Sequence, residues 1–391
     1  MIPQERFERI VLLVNEVDRL GGVGRFANEM AIGFHERGYS AEIVGIAPAP
    51  EGHLQSFKRP DAIVSRTLMP AHAPADWKIR NEEDKQDKQR VERYKRREEL
   101  RNIAVNRLRT LLRSWGPSTL IICTQVFAME HMIEAGYDAK DFSQPRVVGQ
   151  YHGSFLSAKL SGNDVRRVTN CYRDVDKTVF LTTEDASQFR KRGLNNTYCI
   201  PNPVSAPEFS NANRRKTFFA LGRYTEQKGL HFLLSAWNRI AVSIPEWNLE
   251  LYGEGPLRPR LQEMIDDLSI PRVKLMGKTD RVGDVIVSSK VHVLSSEHEG
   301  LPISIVEAGL LGAPTVAFDC APGIRELIQS GRNGVVVPPL NTEELAQELL
   351  RVARDESLLE HLSKHCTEDM QRFLPSKIVD RWENLFVEMS R

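Results

Sequence analysis

The stretch Val291-His292-Val293-Leu294-Ser295-Ser296-Glu297-His298-Glu299-Gly300-Leu301-Pro302-Ile303-Ser304-Ile305-Val306-Glu307-Ala308 changes its periodicity halfway along. Val291–Leu294 is a short apolar run of the kind that forms a strand covered on both faces. A polar loop follows, and Pro302 suits the first position of a helix, where its missing N–H leaves nothing unpaired. Strand, loop and helix in this order make half of a β-α-β unit, and such units build parallel sheets.

Working outward, the same alternation recurs almost from end to end. Strand candidates are Ile10–Val14, Ala41–Ile46, Leu120–Cys123, Val147–Tyr151, Thr178–Leu181 and Thr197–Ile200, then Thr217–Leu221, Leu249–Tyr252, Val273–Met276, Val291–Leu294, Thr315–Phe318 and Val335–Val337. One sheet of so many strands would be unusual, whereas two sheets of about six fit 391 residues. Pro201-Asn202-Pro203 cannot continue a central strand, and Ser205–Asn213 is polar and weakly periodic, so the chain is expected to divide there. We draw the domains as residues 1–204 and 205–375. In the segment 376–391, Ile378, Trp382, Leu385 and Phe386 share one helical face, which is expected to pack back on the first domain.

Composition narrows the class. Hydrophobic residues make up 41% and charged residues 27%, the balance of a soluble globular protein. A net charge of +1 gives no global reason to expect nucleic acid or another polyanion as partner. Cys123, Cys171, Cys199, Cys320 and Cys366 are scattered, with no C-x-x-C pair, so neither a zinc site nor a disulfide framework is expected. Near the start only Ile10–Val14 is an apolar run, too short for a signal sequence or a membrane span, and a cytoplasmic protein is expected.

Asp76–Trp115 stands apart. Lys, Arg and Glu are dense in it, while Val91, Tyr94, Leu108, Leu111, Leu112 and Trp115 recur near helical spacing. One reading is a long solvated helix laced with charge pairs. The other is a surface, residues 78–113, at which Arg93, Lys95, Arg96 and Arg97 meet an anionic polymer or the inner face of a membrane. Both stay open.

Three loops carry the candidate chemistry. Gly21-Gly22-Val23-Gly24 follows the first strand and precedes a helix, where glycines let the backbone approach a phosphate or sugar. As letters it satisfies a dinucleotide pattern, but the glycines come several residues late and the second strand ends without the acidic residue that would hold a ribose. Gly222-Arg223-Tyr224-Thr225-Glu226-Gln227-Lys228-Gly229 sets two cations beside the carboxyl end of a parallel strand, able to stabilise a departing diphosphate as a metal otherwise would. In the opening stretch, Leu301 and Pro302 lead into the amides of Ile303 and Ser304, free donors for an anion at a helix start. Glu307, one turn beyond Ile303, can accept two ribose hydroxyls, and Glu299 can meet hydroxyls of a sugar.

On these motifs the chain resembles the retaining glycosyltransferases of family 4 (glycosyltransferases group 1), of GT-B fold, in which two Rossmann-like domains face a central cleft. Ile200-Pro201-Asn202-Pro203, Gly253-Glu254-Gly255-Pro256 and Gly334-Val335-Val336-Val337 also match, and the likeness is weakest over residues 50–115. The resemblance implies that Arg223 and Lys228 hold the diphosphate, Glu307 the ribose and Glu299 the transferred sugar. It implies that Gly21 and Gly22 approach the donor from the first domain, that Met276 and Gly277 line the base pocket, and that His152 contacts the donor sugar. It further implies transfer of a hexosyl group with retention from a nucleotide diphosphate sugar, UDP-linked by family habit, with no metal and no cofactor. The stretch Asp319–Glu326 resembles members that build bacterial surface polysaccharides or teichoic acids.

The sequence departs from the family in two places. His152 is followed by Gly153 where Asp is common, and the loop reads Glu-Gly-Leu-Pro where Glu-Gly-Phe-Gly is common, so the sugar is left open. Asp174-Val175-Asp176 has the form of a metal-chelating pair but precedes a strand with no second carboxylate cluster after it, and is read as a strand-entry turn. Two other classes fit the same residues: a nucleotide-sugar epimerase of this architecture, and a catalytically silent sugar-nucleotide-binding subunit. The acceptor and the oligomeric state are not legible.

Overall fold

A computed structural model describes residues 7–55, 57–210 and 213–389. The chain forms two compact units. One runs up to Pro203 and takes in the chain from Ile378 onwards; the other is Val204–Lys377.

The first unit is built on seven parallel strands: β1 Arg9–Val17, β2 Ser40–Pro48, β3 Val64–Thr67, β4 Thr119–Cys123, β5 Arg146–Tyr151, β6 Lys177–Phe180 and β7 Thr197–Cys199, in the order β3-β2-β1-β4-β5-β6-β7. Alternate residues of one strand feed opposite faces, as the two-residue repeat requires. Val11 and Leu13 join Val44, Ile121 and Val147 in one layer, whereas Ile10 and Leu12 join Ile43, Ile122 and Val148 in the other. The second layer is closed by the helix Pro375–Met389, whose Ile378, Val379, Trp382, Leu385 and Phe386 are buried against Phe26, Phe34 and Tyr39. Gly33 is fixed there, because a Cβ would meet Val379 Cγ2 at 2.6 Å. Tyr39 donates to Glu383 Oε1 at 3.0 Å and Arg381 to the Cys199 carbonyl at 2.7 Å, fastening both ends of the contact.

The second unit has six parallel strands: β8 Thr217–Leu221, β9 Asn248–Tyr252, β10 Val273–Gly277, β11 Val291–Leu294, β12 Thr315–Phe318 and β13 Gly334–Val337, in the order β10-β9-β8-β11-β12-β13. In both sheets the chain starts in the middle, works out to one edge and returns to build the other. That leaves a crevice where two neighbouring strands send their connections in opposite directions, and ligands of open α/β sheets bind there. It falls between β1 and β4 in the first unit and between β8 and β11 in the second.

Two details differ from the sequence reading. β3 is an added edge strand with mostly exposed side chains, so it has no apolar alternation to announce it. In the charged segment, the helix Lys88–Ser114 buries Leu100, Ala104, Val105, Leu108 and Leu112, while Val91 and Tyr94 lie beyond the sheet's reach. Its exposed half carries pairs such as Arg96–Glu99, at 3.1 Å. Asp176 accepts from the Val147 amide at 2.9 Å and pairs with Arg146, fixing the entry of β5 and β6. Among the described residues no helix is long and apolar enough to cross a membrane.

Candidate functional site

In the second unit the loops after β8 and β11 close on each other at the strand switch. Glu297 N–H donates to the Gln227 carbonyl at 2.8 Å, and the Gln227 side chain returns a bond to the His298 carbonyl at 3.1 Å. This clasp brings two of the expected residues together: Lys228 Nζ lies 2.6 Å from Glu299 Oε1, and the same oxygen accepts from Ser296 Oγ at 2.7 Å. The side chains keep 23% and 9% of their exposure, so a charged pair sits in a place only partly open to water.

Neighbouring loops hold this arrangement from below. Tyr224 is fully buried and its hydroxyl donates to the Leu251 carbonyl at 2.6 Å, pinning the β8 loop to β9. Gly253 lies at φ 147°, and a Cβ there would overlap the Gly222 carbonyl oxygen, so the loops after β8 and β9 touch backbone to backbone. Arg223 is exposed at the start of the β8 loop. Cys320, just past β12, is buried; burial first, and Glu299 second, push its thiol up to about 12, which keeps it protonated.

The helix after β11 begins one residue later than the sequence suggested. Pro302 is the cap, with ψ 109°, and Ile303 is the first helical residue; no side chain caps the start. The amides of Ile303 and Ser304 are therefore the leading N–H groups of an uncapped helix. Glu307 is buried on that helix, at 9% exposure. Leu301 is half-buried beside the cap. Met276 and Gly277 end the edge strand β10, Met276 at 45% exposure and Gly277 accepting from the Gly253 amide at 2.8 Å.

In the first unit, Gly21 caps the helix Gly22–Glu36 at φ 137° with no side-chain cap. Gly24 is the tightest point of that turn, since a Cβ would overlap the Arg19 carbonyl oxygen. Arg59 clamps the turn from outside, donating to Asn28 Oδ1 and Asp18 Oδ2 at 2.6 Å each. At the β1–β4 switch, Asn15 N–H donates to Gln125 Oε1 and its own Oδ1 accepts from Ala128 N–H, both at 3.0 Å.

His152 follows β5 and lines a pocket of about 220 Å³ with Asn15, Thr124, Gln125 and Tyr151. Its ring packs edge-on against Phe26, 4.8 Å between centroids. The residue as a whole is half-buried, but both ring nitrogens are sealed from water and neither reaches a partner among the described residues. Burial pushes the imidazole down to about 4, against a smaller upward pull from the Asn202 side chain, so it is neutral at pH 7.

Among the described residues one group of metal-capable side chains gathers within 4.8 Å: Glu226, His231 and Glu297. Both glutamates are exposed, and Arg260 pairs with Glu226 at 3.1 Å. Ser296, Gln227, Tyr224, Asn15 and Arg59 were not singled out from sequence. Only Ser296 had a usable signal, three residues before a glutamate in a loop.

Two doubly wound parallel units, one with a cation–carboxylate pair and an uncapped helix start at its strand switch, place the chain in the GT-B fold class. Residues 215–355 match the family model described as Glycosyl transferases group 1. It is 29% identical to an uncharacterised glycosyltransferase of Haemophilus influenzae over 59% of this chain and 67% of that one. It is 23% identical to the poly(glycerol-phosphate) alpha-glucosyltransferase of Bacillus subtilis over 63% of this chain and 38% of that one, so it spans well under half of that relative. In fold it is similar to Anabaena HepE, solved in complex with UDP and glucose, with a TM-score of 0.72 and 18% identity over 96% of this chain and 99% of that one.

Proposed function

We propose that the protein transfers a hexosyl group from a UDP-sugar to a hydroxyl of a cell-envelope polysaccharide or teichoic acid, with retention and without a metal ion. The observation that carries this reading is Lys228 against Glu299 at the β8–β11 switch, beside the uncapped start of the helix Ile303–Leu310. A nucleotide diphosphate supplies what both lack: anionic oxygens for Lys228 and the helix amides, and sugar hydroxyls for Glu299. Arg223 adds a second cation for the diphosphate, and Glu307 takes the ribose. Met276 and Gly277 take the base, with Leu301 and Pro302 shaping the loop. To His152, Gly21 and Gly22 we assign contacts with the donor sugar, as the family resemblance implies. The names of the relatives support the substrate class: one acts on a glycerol-phosphate polymer, and one binds UDP and glucose.

In this mechanism the bond from the anomeric carbon to the phosphate oxygen breaks while the acceptor oxygen attacks from the same face. The departing phosphate oxygen takes the acceptor's proton, and Lys228, Arg223 and the helix amides stabilise its growing charge. A thermal-shift panel of UDP, GDP, ADP and their sugars tests the donor, because a ligand that binds the native state raises its melting point. UDP and one UDP-sugar are expected to stabilise most. Stabilisation by GDP or ADP alone would overturn the donor, and conversion of donor to an epimer without acceptor would identify an epimerase. Turnover is expected to survive EDTA; loss that Mn²⁺ restores would sink the metal-free mechanism and direct attention to Glu226, His231 and Glu297.

A further inference from the structure

The first unit holds a second pocket of about 220 Å³, next to the His152 pocket and sharing Asn15 and Phe127 with it as wall residues. It is lined at the strand ends by Glu16 and Ala47, from the loop before the charged segment by His72, from that segment by Trp77, Arg97 and Arg101, and from the next helix by His131. Residues 50–115, where the family likeness is weakest, thus supply half of the wall.

The chemistry of that wall is specific. His131 is 1% exposed, and its Nδ1 lies 2.9 Å from the Phe127 carbonyl one turn back. A carbonyl only accepts, so Nδ1 carries the proton. Burial lowers the ring's pKa, and the nearby Arg101 and Arg97 lower it further, so the ring is neutral and Nε2 is a bare lone pair. That atom, at the end of the ring remote from its own helix, is buried with no partner among the described residues. It requires a donor, and a hydroxyl is one.

The rest of the lining offers donors. Three guanidinium groups, Arg19, Arg97 and Arg101, line the pocket with one carboxylate, Glu16, which is shared between Arg19 and His72 Nε2 at 2.8 Å. Arg97 also pairs with Glu98 and Arg101 with Glu134, both outside the lining, and each five-donor guanidinium keeps N–H groups to spare. Arg97 is stacked on the Trp77 ring at 3.8 Å, which holds its planar donors in place. Arg101 is turned toward the same space from a bond with Glu134 at 2.7 Å.

We propose that this pocket seats the acceptor, and that the acceptor unit bears a free hydroxyl for His131 Nε2 together with an anionic oxygen group for Arg19, Arg97 and Arg101. This rests on the transferase reading above and gives its acceptor a chemical class. A phosphorylated polyol and a uronic acid share that chemistry. Both would explain why Arg97 and Arg101, on the helix Lys88–Ser114, share one pocket with Arg19, just before the glycine turn, although the net charge of the chain is only +1.

The test is a titration of full-length protein labelled with ¹⁵N-histidine, read by long-range ¹H–¹⁵N correlation, which resolves the tautomer and the Nε2 shift of each imidazole. Unliganded His131 is expected as the Nδ1–H tautomer. Glycerol 3-phosphate or glucuronate is expected to move its Nε2 resonance, and Arg101→Met, at a partly exposed side chain, to weaken that response about ten-fold. A response to one anion and not the other identifies the source. An equal response to neutral glycerol removes the anionic part of the proposal, and silence of His131 toward all three at tens of millimolar overturns it. UDP is titrated separately: its failure to bind would strike the donor site and leave the His131 result to stand or fall alone.

Discussion

Truncating Lys228 separates a strut from a participant in the chemistry. At 2.6 Å the attraction between Lys228 and Glu299 is about 6 kcal/mol before desolvation, taking an effective dielectric near 20. Removing one partner of a fully buried pair costs about 3–5 kcal/mol, most of it the penalty of the charge left behind. Here Lys228 keeps 23% of its exposure and Ser296 still donates to Glu299, so Lys228→Ala is expected to cost about 1–3 kcal/mol of stability. Adding Glu299→Gln removes the stranded charge and is expected to recover most of that loss in urea unfolding. Turnover follows different physics. If Lys228 stabilises the departing diphosphate, Lys228→Ala lowers kcat about 10²–10³-fold, or about 3–4 kcal/mol of barrier. Nucleotide release measured at saturating donor reads this directly. A variant that binds donor normally and turns over at near wild-type rate would refute the assignment, whatever happens to stability.

Three further outcomes follow from the geometry. Gly253→Ala sets a methyl group against the Gly222 carbonyl at a φ of 147°, so calorimetric nucleotide affinity is expected to fall while the far-UV signal stays; unchanged affinity would mean that the two loops move freely. Trp382→Ala empties a fully buried site in the first unit and is expected to cost about 3–5 kcal/mol in denaturant unfolding, with a value under ~1 arguing that the helix Pro375–Met389 is loosely held. His152 and His292 are pushed by burial from 6.5 down to about 4 and about 3. The unfolded chain therefore takes up protons below pH 6.5 that the folded chain refuses, so stability is full above that pH and falls as pH drops toward 4. Unfolding midpoints compared between pH 7.5 and pH 5, where most carboxylates are still ionised, are expected to decline. A flat profile would contradict the burial of these rings.

The sheets were legible because both are parallel and covered on two faces, which compresses each strand into an unbroken apolar run such as Val11–Leu13 or Phe218–Ala220. β3 escaped for the complementary reason: Val64–Arg66 is exposed, and nothing in its pattern marks an edge strand. Pro302 looked like a first helical residue because its φ suits either side of the boundary, whereas its ψ of 109° belongs to the cap. In the candidate site, the charged residues declared themselves by type and spacing. Their supports did not: Gln227 bonding the His298 carbonyl, and Gly253 lying on Gly222, are tertiary meetings between loops about 30 to 70 positions apart. His131 was silent for the same reason, since a lone histidine on an apolar helix gives no sign of which nitrogen its own helix will occupy.

The helix Pro375–Met389 also fixes an order of events during synthesis. Most of the first unit leaves the ribosome before any of the second, yet one face of its sheet lacks Ile378, Val379, Trp382, Leu385 and Phe386 until the second unit has been translated. The nascent chain therefore carries an unfinished apolar surface through the whole interval in which β8 to β13 emerge. A chain terminated between Val337 and Ile378 carries every strand of its second sheet, joined to a first unit that a chaperone must hold or a protease remove.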